Sequence, residues 1–265
     1  MKTLKSLAEL ISLKGKRALI SGCASGIGKA MASRFAEAGA ALELVDVKKE
    51  GLKTLSKELS KFETETNTHQ VDISQREKVD ALWEKLKGKE PDILVNNAGV
   101  YPFRDFLKLD DTFFKKVMDI NLNSVLWMCQ HMIRTRLKKG GVIINIGSIE
   151  AIMPFAEDLV PYNISKTGVH ALTRALAKKY GKYGFRINAL IPGGIVTPGT
   201  KNVAKKIARL GVSLIKTGLQ FKMRLPLNRG GQPDEVACIA LVLASEMSSY
   251  VQGALIPVDG GFLSA

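Results

Sequence analysis

Short runs of apolar, β-favouring residues recur along the chain. They alternate with longer segments whose apolar positions repeat every three or four residues. The runs are Arg17–Ser21, Ala41–Val47, Thr68–Asp72, Asp92–Asn96, Gly141–Ile146, Phe185–Pro192 and Ala254–Val258. Most are apolar at consecutive positions, the pattern of strands covered on both faces, as parallel sheets are. Helical spacing fills the gaps: Ile27–Ala38, stopped by Gly39, and the longer Asp111–Lys138 and Ser165–Lys182. This alternation predicts an α/β fold, a single-domain Rossmann-like doubly wound parallel sheet of seven strands flanked by helices. Leu4, Leu7, Leu10 and Ile11 lie at helical spacing. Residues 1–13 therefore read as an N-terminal extension with a short amphipathic helix, docked on the body or on a neighbouring subunit. Residues 14–265 read as one domain, interrupted at Gly199–Leu227 by a basic, partly helical insertion expected to form a substrate lid.

Composition narrows the class. Of 265 residues, 46% are hydrophobic and 24% charged, as in an ordinary globular protein. The net charge of +14 describes a Lys-rich solvated surface or one that attracts an acidic partner or substrate. No zinc-finger spacing, RNA-binding motif or basic heptad helix accompanies it, so nucleic acid is not the expected partner. Cys23, Cys129 and Cys238 are scattered and form no CxxC pair. With no secretory signal and no run of ~20 apolar residues, a cytoplasmic protein without a membrane span is expected.

The candidate chemistry lies at the carboxyl ends of the predicted strands. The first strand ends in Ser21-Gly22-Cys23-Ala24-Ser25-Gly26-Ile27-Gly28 and a helix follows. Glycines at 22, 26 and 28 allow a tight turn and close approach to a pyrophosphate, beside free N–H groups of a helix start. Asp46, at the end of the second strand, is suited to ribose hydroxyls and would repel a 2′-phosphate, favouring NAD over NADP. Asp72, ending the third run, and Ile73 after it are expected beside the adenine; a plain turn is the alternative. The fourth strand runs into Asn96-Asn97-Ala98-Gly99, small and amide side chains able to pack beside a ligand. Tyr162 and Lys166 stand four apart on one helix face, where an ammonium favours the phenolate and lowers its pKa. Ser148 follows the fifth strand and can hold a substrate oxygen beside Tyr162. Asn121, placed mid-helix against its propensity, suggests a bound water near Lys166.

These motifs, in this order, resemble the short-chain dehydrogenase/reductase family in its single-domain form, over nearly all of the chain after Lys14. The matching stretches are Ser21–Gly28, Asn96–Gly99, Asn121, Ser148, and Tyr162 with Lys166. Arg186-Ile187-Asn188, Pro192-Gly193 with Thr197, and Asp259-Gly260-Gly261 extend the match. The resemblance implies an NAD(P)-dependent oxidoreductase that interconverts a secondary alcohol and a ketone by hydride transfer, with no metal. It implies that Tyr162 is the general acid/base, that Lys166 lowers its pKa and holds the nicotinamide ribose, and that Ser148 orients the carbonyl. Asn121 would anchor a proton-relay water. Ser21, Gly22, Ser25, Gly26, Ile27 and Gly28 would cradle the pyrophosphate, with Asp46, Asp72, Ile73, Asn97, Ala98 and Gly99 along the adenosine side. Pro192, Gly193, Ile195 and Thr197 would meet the nicotinamide, and a homotetramer is implied.

Two departures stand out. Ser21 replaces the usual Thr, and the stretch from Ser148 to Tyr162 is one residue longer than is common, with Glu150, Glu157 and Asp158 in it. Two substrate readings remain open. One is a 3-oxoacyl reductase-like enzyme whose acidic carrier meets Lys138, Lys139 and Lys182; the other is an NAD-dependent sugar, polyol or hydroxysteroid dehydrogenase. Lys201, Lys205, Lys206, Arg209, Lys216, Lys222 and Arg224 of the insertion are placed to meet an anionic substrate. A non-catalytic dinucleotide-binding scaffold is the reading from a different class, and the intact Ser148, Tyr162 and Lys166 argue against it.

Overall fold

A computed structural model describes residues 4–200 and 223–265. Its strands are β1 (Arg17–Ser21), β2 (Ala41–Asp46), β3 (Thr66–Gln70), β4 (Ile93–Asn96), β5 (Gly141–Ile146), β6 (Phe185–Pro192) and β7 (Leu255–Val258). They form one parallel sheet in the order β3-β2-β1-β4-β5-β6-β7. The chain runs outward from β1 to β3, then crosses back to β4 and proceeds the other way. The switch between β1 and β4 opens a crevice at the carboxyl ends of these strands, where ligands of such sheets bind.

Consecutive residues of one strand feed two cores. Ala18 and Ile20 pack with Phe35 of α2 (Gly26–Glu37), Leu55 of α3 (Lys49–Leu59) and Val236 of α8 (Pro233–Ala244). Leu19 packs on the opposite face with Leu82 of α4 (Arg76–Lys85), Met128 of α6 (Ser124–Arg136) and Val169 of α7 (Val160–Tyr180). Double coverage is why these strands read as unbroken apolar runs.

Three elements depart from the pattern. β3 lies two residues before the expected Thr68–Asp72, so Asp72 falls beyond the strand rather than at its end. Polar pairing places it: Glu43 on β2 is only 2% exposed. Asn67 Nδ2 donates to Glu43 at 3.0 Å, and His69 Nε2 meets it at 2.6 Å. As an edge strand with one neighbour, β3 has no need of an apolar run. The long segment from Asp111 divides into α5 (Asp111–Met118), a π-turn at Asp119–Asn123, and α6. α7 begins at Val160 rather than Ser165, because Pro161 is tolerated in a first turn whose N–H groups have no intrahelical partner.

At the N-terminus, α1 (Leu7–Ile11) is held by a capping box between Ser6 and Glu9. Leu4 and Leu7 are exposed, so they do not dock on this chain as their spacing suggests; Lys5 pairs with Glu246 instead.

Candidate active site

The crevice is built by backbone proximity. Gly22 has φ +67, and a Cβ there would stand 2.6 Å from Ala98 Cα; a Cβ on Gly28 would meet Gly22 O at 2.3 Å. The glycines thus let the β1 turn lie against the β4 turn. Ser21 Oγ accepts from the N–H of Asn97 and of Ala98, at 3.1 and 3.2 Å. Asn97 Nδ2 donates to Gly22 O at 2.9 Å. The retained hydroxyl of Ser21 therefore stitches the two loops. The N-cap of α2, Ser25, makes no side-chain cap bond, so the first N–H groups of the helix remain open to a ligand.

Asp46 has a structural part as well. Its carboxylate accepts from Ala24 N and Lys48 N, each at 2.9 Å, and so fixes the glycine loop. Each oxygen keeps acceptor capacity for a hydroxyl. Asp72 also holds a turn, accepting from Ser74 N at 3.0 Å and Gln75 Nε2 at 3.0 Å, while Ile73 joins the core below. A groove of about 430 Å³ is lined by Ser21, Gly22, Ser25, Gly26, Ile27, Asp46, Asp72, Ile73, Asn97, Ala98, Gly99 and Thr197. Glycines that a Cβ would block, an open helix start and a carboxylate at the far wall fit an adenine dinucleotide.

The groove continues into a cavity of about 630 Å³ that shares Ile27, Asn97, Gly99, Val100 and Thr197 with it. Ser148, Tyr162, Lys166, Pro192, Gly193 and Ile195 line this cavity. The Ser148 hydroxyl stands near enough to the Tyr162 phenol to favour its ionised form, and Ser148 Oγ accepts from Glu150 N at 3.2 Å. Lys166 Nζ donates to Ile146 O at 2.8 Å and lies 5.9 Å from the centre of the Tyr162 ring. Burial pushes the Tyr162 phenol up to about 12, opposed by the Ser148 hydroxyl, and pushes Lys166 down to about 8. In the protein alone burial dominates both groups, and the Glu150 charge adds to the rise at Tyr162.

Gly28 and Asn121 stand behind these walls. Asn121 accepts from Val100 N at 2.8 Å and donates to Val100 O at 2.9 Å and to Ser165 Oγ at 3.2 Å. Its side chain clamps the loop after β4 to α7, a positioning role. The π-turn points the amide at Val100, as such bulges do at functional sites.

Three cavity neighbours were not singled out by motif. Tyr101 packs edge-on to Tyr162, 4.7 Å between ring centres. Glu150, 1% exposed, lines the cavity. His170 stands behind Ser148, its Nε2 accepting from Ser148 N at 3.4 Å. The signal for His170 was its spacing, four and eight residues past Lys166 and Tyr162 on one helix face.

Burial, with the nearby Lys166 and Arg174 charges, pushes His170 down to about 4. The unfolded chain takes up this proton first, near pH ~6.5. Stability from neutral His170 is thus present above ~6.5 and is lost as pH falls toward about 4. Thermal melts across that window should show a falling midpoint, with a shallower slope in His170→Gln; identical slopes would contradict the assignment.

The basic residues fall elsewhere. Lys138 and Lys139 precede β5, and Lys182 precedes β6, so they lie at the strand starts, the edge opposite the cavity. Within one chain they do not flank its mouth. Arg224 donates to Ala265 O at 2.6 Å and stacks on Phe262, away from a substrate role. Lys201, Lys205, Lys206, Arg209, Lys216 and Lys222, and with them most of the expected lid, lie outside the described residues.

A family model described as enoyl-(acyl carrier protein) reductase matches residues 22–263. A 3-oxoacyl-[acyl-carrier-protein] reductase from Thermotoga maritima is 34% identical over 254 residues, 95% of this chain and 99% of that protein. A galactitol 2-dehydrogenase (L-tagatose-forming) from Cereibacter sphaeroides is 34% identical over 253 residues, 94% of this chain and 96% of that protein. Among solved structures, a short-chain type dehydrogenase/reductase from Mycobacterium marinum superposes with a TM-score of 0.89 at 29% identity, covering 98% of this chain and 100% of the other.

Proposed function

The chain belongs to the short-chain dehydrogenase/reductase family, and we propose that Tyr162 is its general acid/base, with NAD the preferred cofactor. The class, an NAD(P)-dependent oxidoreductase of CH–OH groups, comes with membership. The roles of single residues rest on geometry. The observation that carries them is that Ser148, Tyr162 and Lys166 line one cavity that opens from the groove, with the Lys166 ammonium 5.9 Å from the centre of the Tyr162 ring.

When bound, the nicotinamide supplies or accepts the hydride; the protein supplies position and a proton. The glycine loop and the α2 start receive the pyrophosphate, and Asp46 takes the adenosine ribose hydroxyls. Lys166 has one N–H on Ile146 O, and its others would hold the second ribose. Ser148 donates to the substrate oxygen. Tyr162 gives that oxygen a proton in reduction and removes it in oxidation.

The test is NADH absorbance change across a panel of alcohols and ketones, run with NAD(H) and NADP(H) side by side. Binding of NAD with no turnover of any member would favour the scaffold. Like-charge repulsion by Asp46 should make kcat/KM for NAD exceed that for NADP by about a hundredfold, and Asp46→Asn should narrow the ratio by about tenfold. An unchanged ratio would remove Asp46 from cofactor choice.

Two substrate classes stay in play, the 3-oxoacyl thioesters and the sugar, polyol or steroid alcohols, and similarity to the Thermotoga and Cereibacter proteins supports one each. The basic edge that precedes β5 and β6 is remote from this chain's cavity, which favours the second. Exposed Leu126 on α6 and Ile164 on α7 fit a homotetramer, which light scattering checks. The three free cysteines fit the expected reducing cytoplasm.

A further inference from the structure

We propose that the buried carboxylate of Glu150 makes the cavity select substrates with no negative charge beside the reacting carbon and reject those that carry a carboxylate there. This rests on the reading that places the substrate oxygen at Ser148 and Tyr162. Glu150 is two residues past Ser148, and its own N–H donates to Ser148 Oγ at 3.2 Å. Its side chain accepts from Phe155 N at 3.3 Å and from the Tyr101 phenol at 3.4 Å. Ala156 N and the Asn163 side chain stand near enough to favour its ionised form. A backbone N–H and a phenol donate to it, and among the groups that shift it none is a cation. Burial pushes the Glu150 carboxyl above the usual carboxylate range and these donors oppose the rise; a group surrounded by donors is satisfied as an acceptor-only carboxylate.

That charge lies close to the reaction. Tyr101 touches both Glu150 and the Tyr162 ring, and the charge opposes ionisation of Tyr162. Among the described residues, Lys166 is the one cationic side chain on the cavity wall, and burial pushes it down to about 8. The residues around Glu150 on the cavity wall are apolar or aromatic, Ile149, Phe155 and Tyr101. In such surroundings a fixed negative charge is poorly screened, so a second carboxylate a few ångströms away is strongly disfavoured. Selectivity by a repulsive element is a common way to discriminate ligands of similar shape.

The experiment compares kcat/KM for matched pairs with the cofactor supplied: ethyl acetoacetate against acetoacetate in reduction, and galactitol against galactonate in oxidation. Wild type should favour the neutral member by about tenfold or more. Glu150→Gln, which keeps an acceptor but removes the charge, should shrink that ratio about tenfold, while Glu150→Asp should keep it. Equal rates in wild type, a preference for the anion, or an unchanged ratio in an active Glu150→Gln would overturn the proposal. Preference for the anion would point to the basic insertion instead. If Glu150→Gln does not fold, the wild-type ratio and that of Glu150→Asp decide. Turnover at equal rates defeats only the charge selection; no turnover of any panel member defeats the enzymatic reading and this inference with it.

Discussion

Tyr162→Phe is expected to lower kcat by about a thousandfold while leaving NAD affinity within about twofold of wild type. The substitution removes one hydroxyl and keeps the ring, so the edge-on packing against Tyr101 and the shape of the cavity remain. What is lost is the hydroxyl that donates the proton in the cavity beside Ser148. General acid–base groups contribute roughly 10²- to 10⁴-fold, and a site with no other titratable group at the substrate oxygen should lie high in that range. Steady-state rates and NADH fluorescence titration separate the two effects. Turnover within tenfold of wild type would remove Tyr162 from the chemistry, and a lost NAD affinity would recast it as a binding residue.

Gly22→Val should damage both the fold and cofactor binding. The residue sits at φ +67, a region that β-branched side chains avoid at a cost of about 1–3 kcal/mol. Its Cβ would press on Ala98 backbone at 2.6 Å, which has little freedom to move; such overpacking costs about 1–3 kcal/mol more. The two loops that Ser21 and Asn97 stitch together would part, and they are the loops that line the groove. A drop in thermal midpoint of roughly 5–15 °C is expected, with NAD binding no longer measurable. A variant that melts like wild type and binds NAD would mean that the glycine is not needed for close approach.

Much of this was legible in the chain itself. Short runs located all seven strands, β3 displaced by two residues; continuous apolar runs marked those covered on both faces, and β1, β5 and β6 agree to the residue. Motif residues at strand ends converge in the structure on one groove and one cavity. What escaped detection depends on partners distant in sequence. β3 takes its register from Asn67 and His69 reaching Glu43, a pairing that periodicity does not encode. The π-turn at Asn121 is set by its bonds to Val100, twenty-one residues away. The state of Tyr162 and Lys166 follows from burial, which spacing alone does not reveal. Glu150 read as one more acidic residue in a variable loop until the fold enclosed it beside Tyr101.

The chemistry proposed for this site requires one oxygen atom to be shared by two hydroxyls, beside a nicotinamide. A crystal structure of the ternary complex with NAD and an unreactive ketone analogue tests this directly. The analogue oxygen should lie within about 3 Å of both Ser148 Oγ and Tyr162 Oη, with the dinucleotide along the groove from Asp46 to Lys166. A complex with the dinucleotide outside that groove, or with the oxygen out of reach of Tyr162, would contradict it.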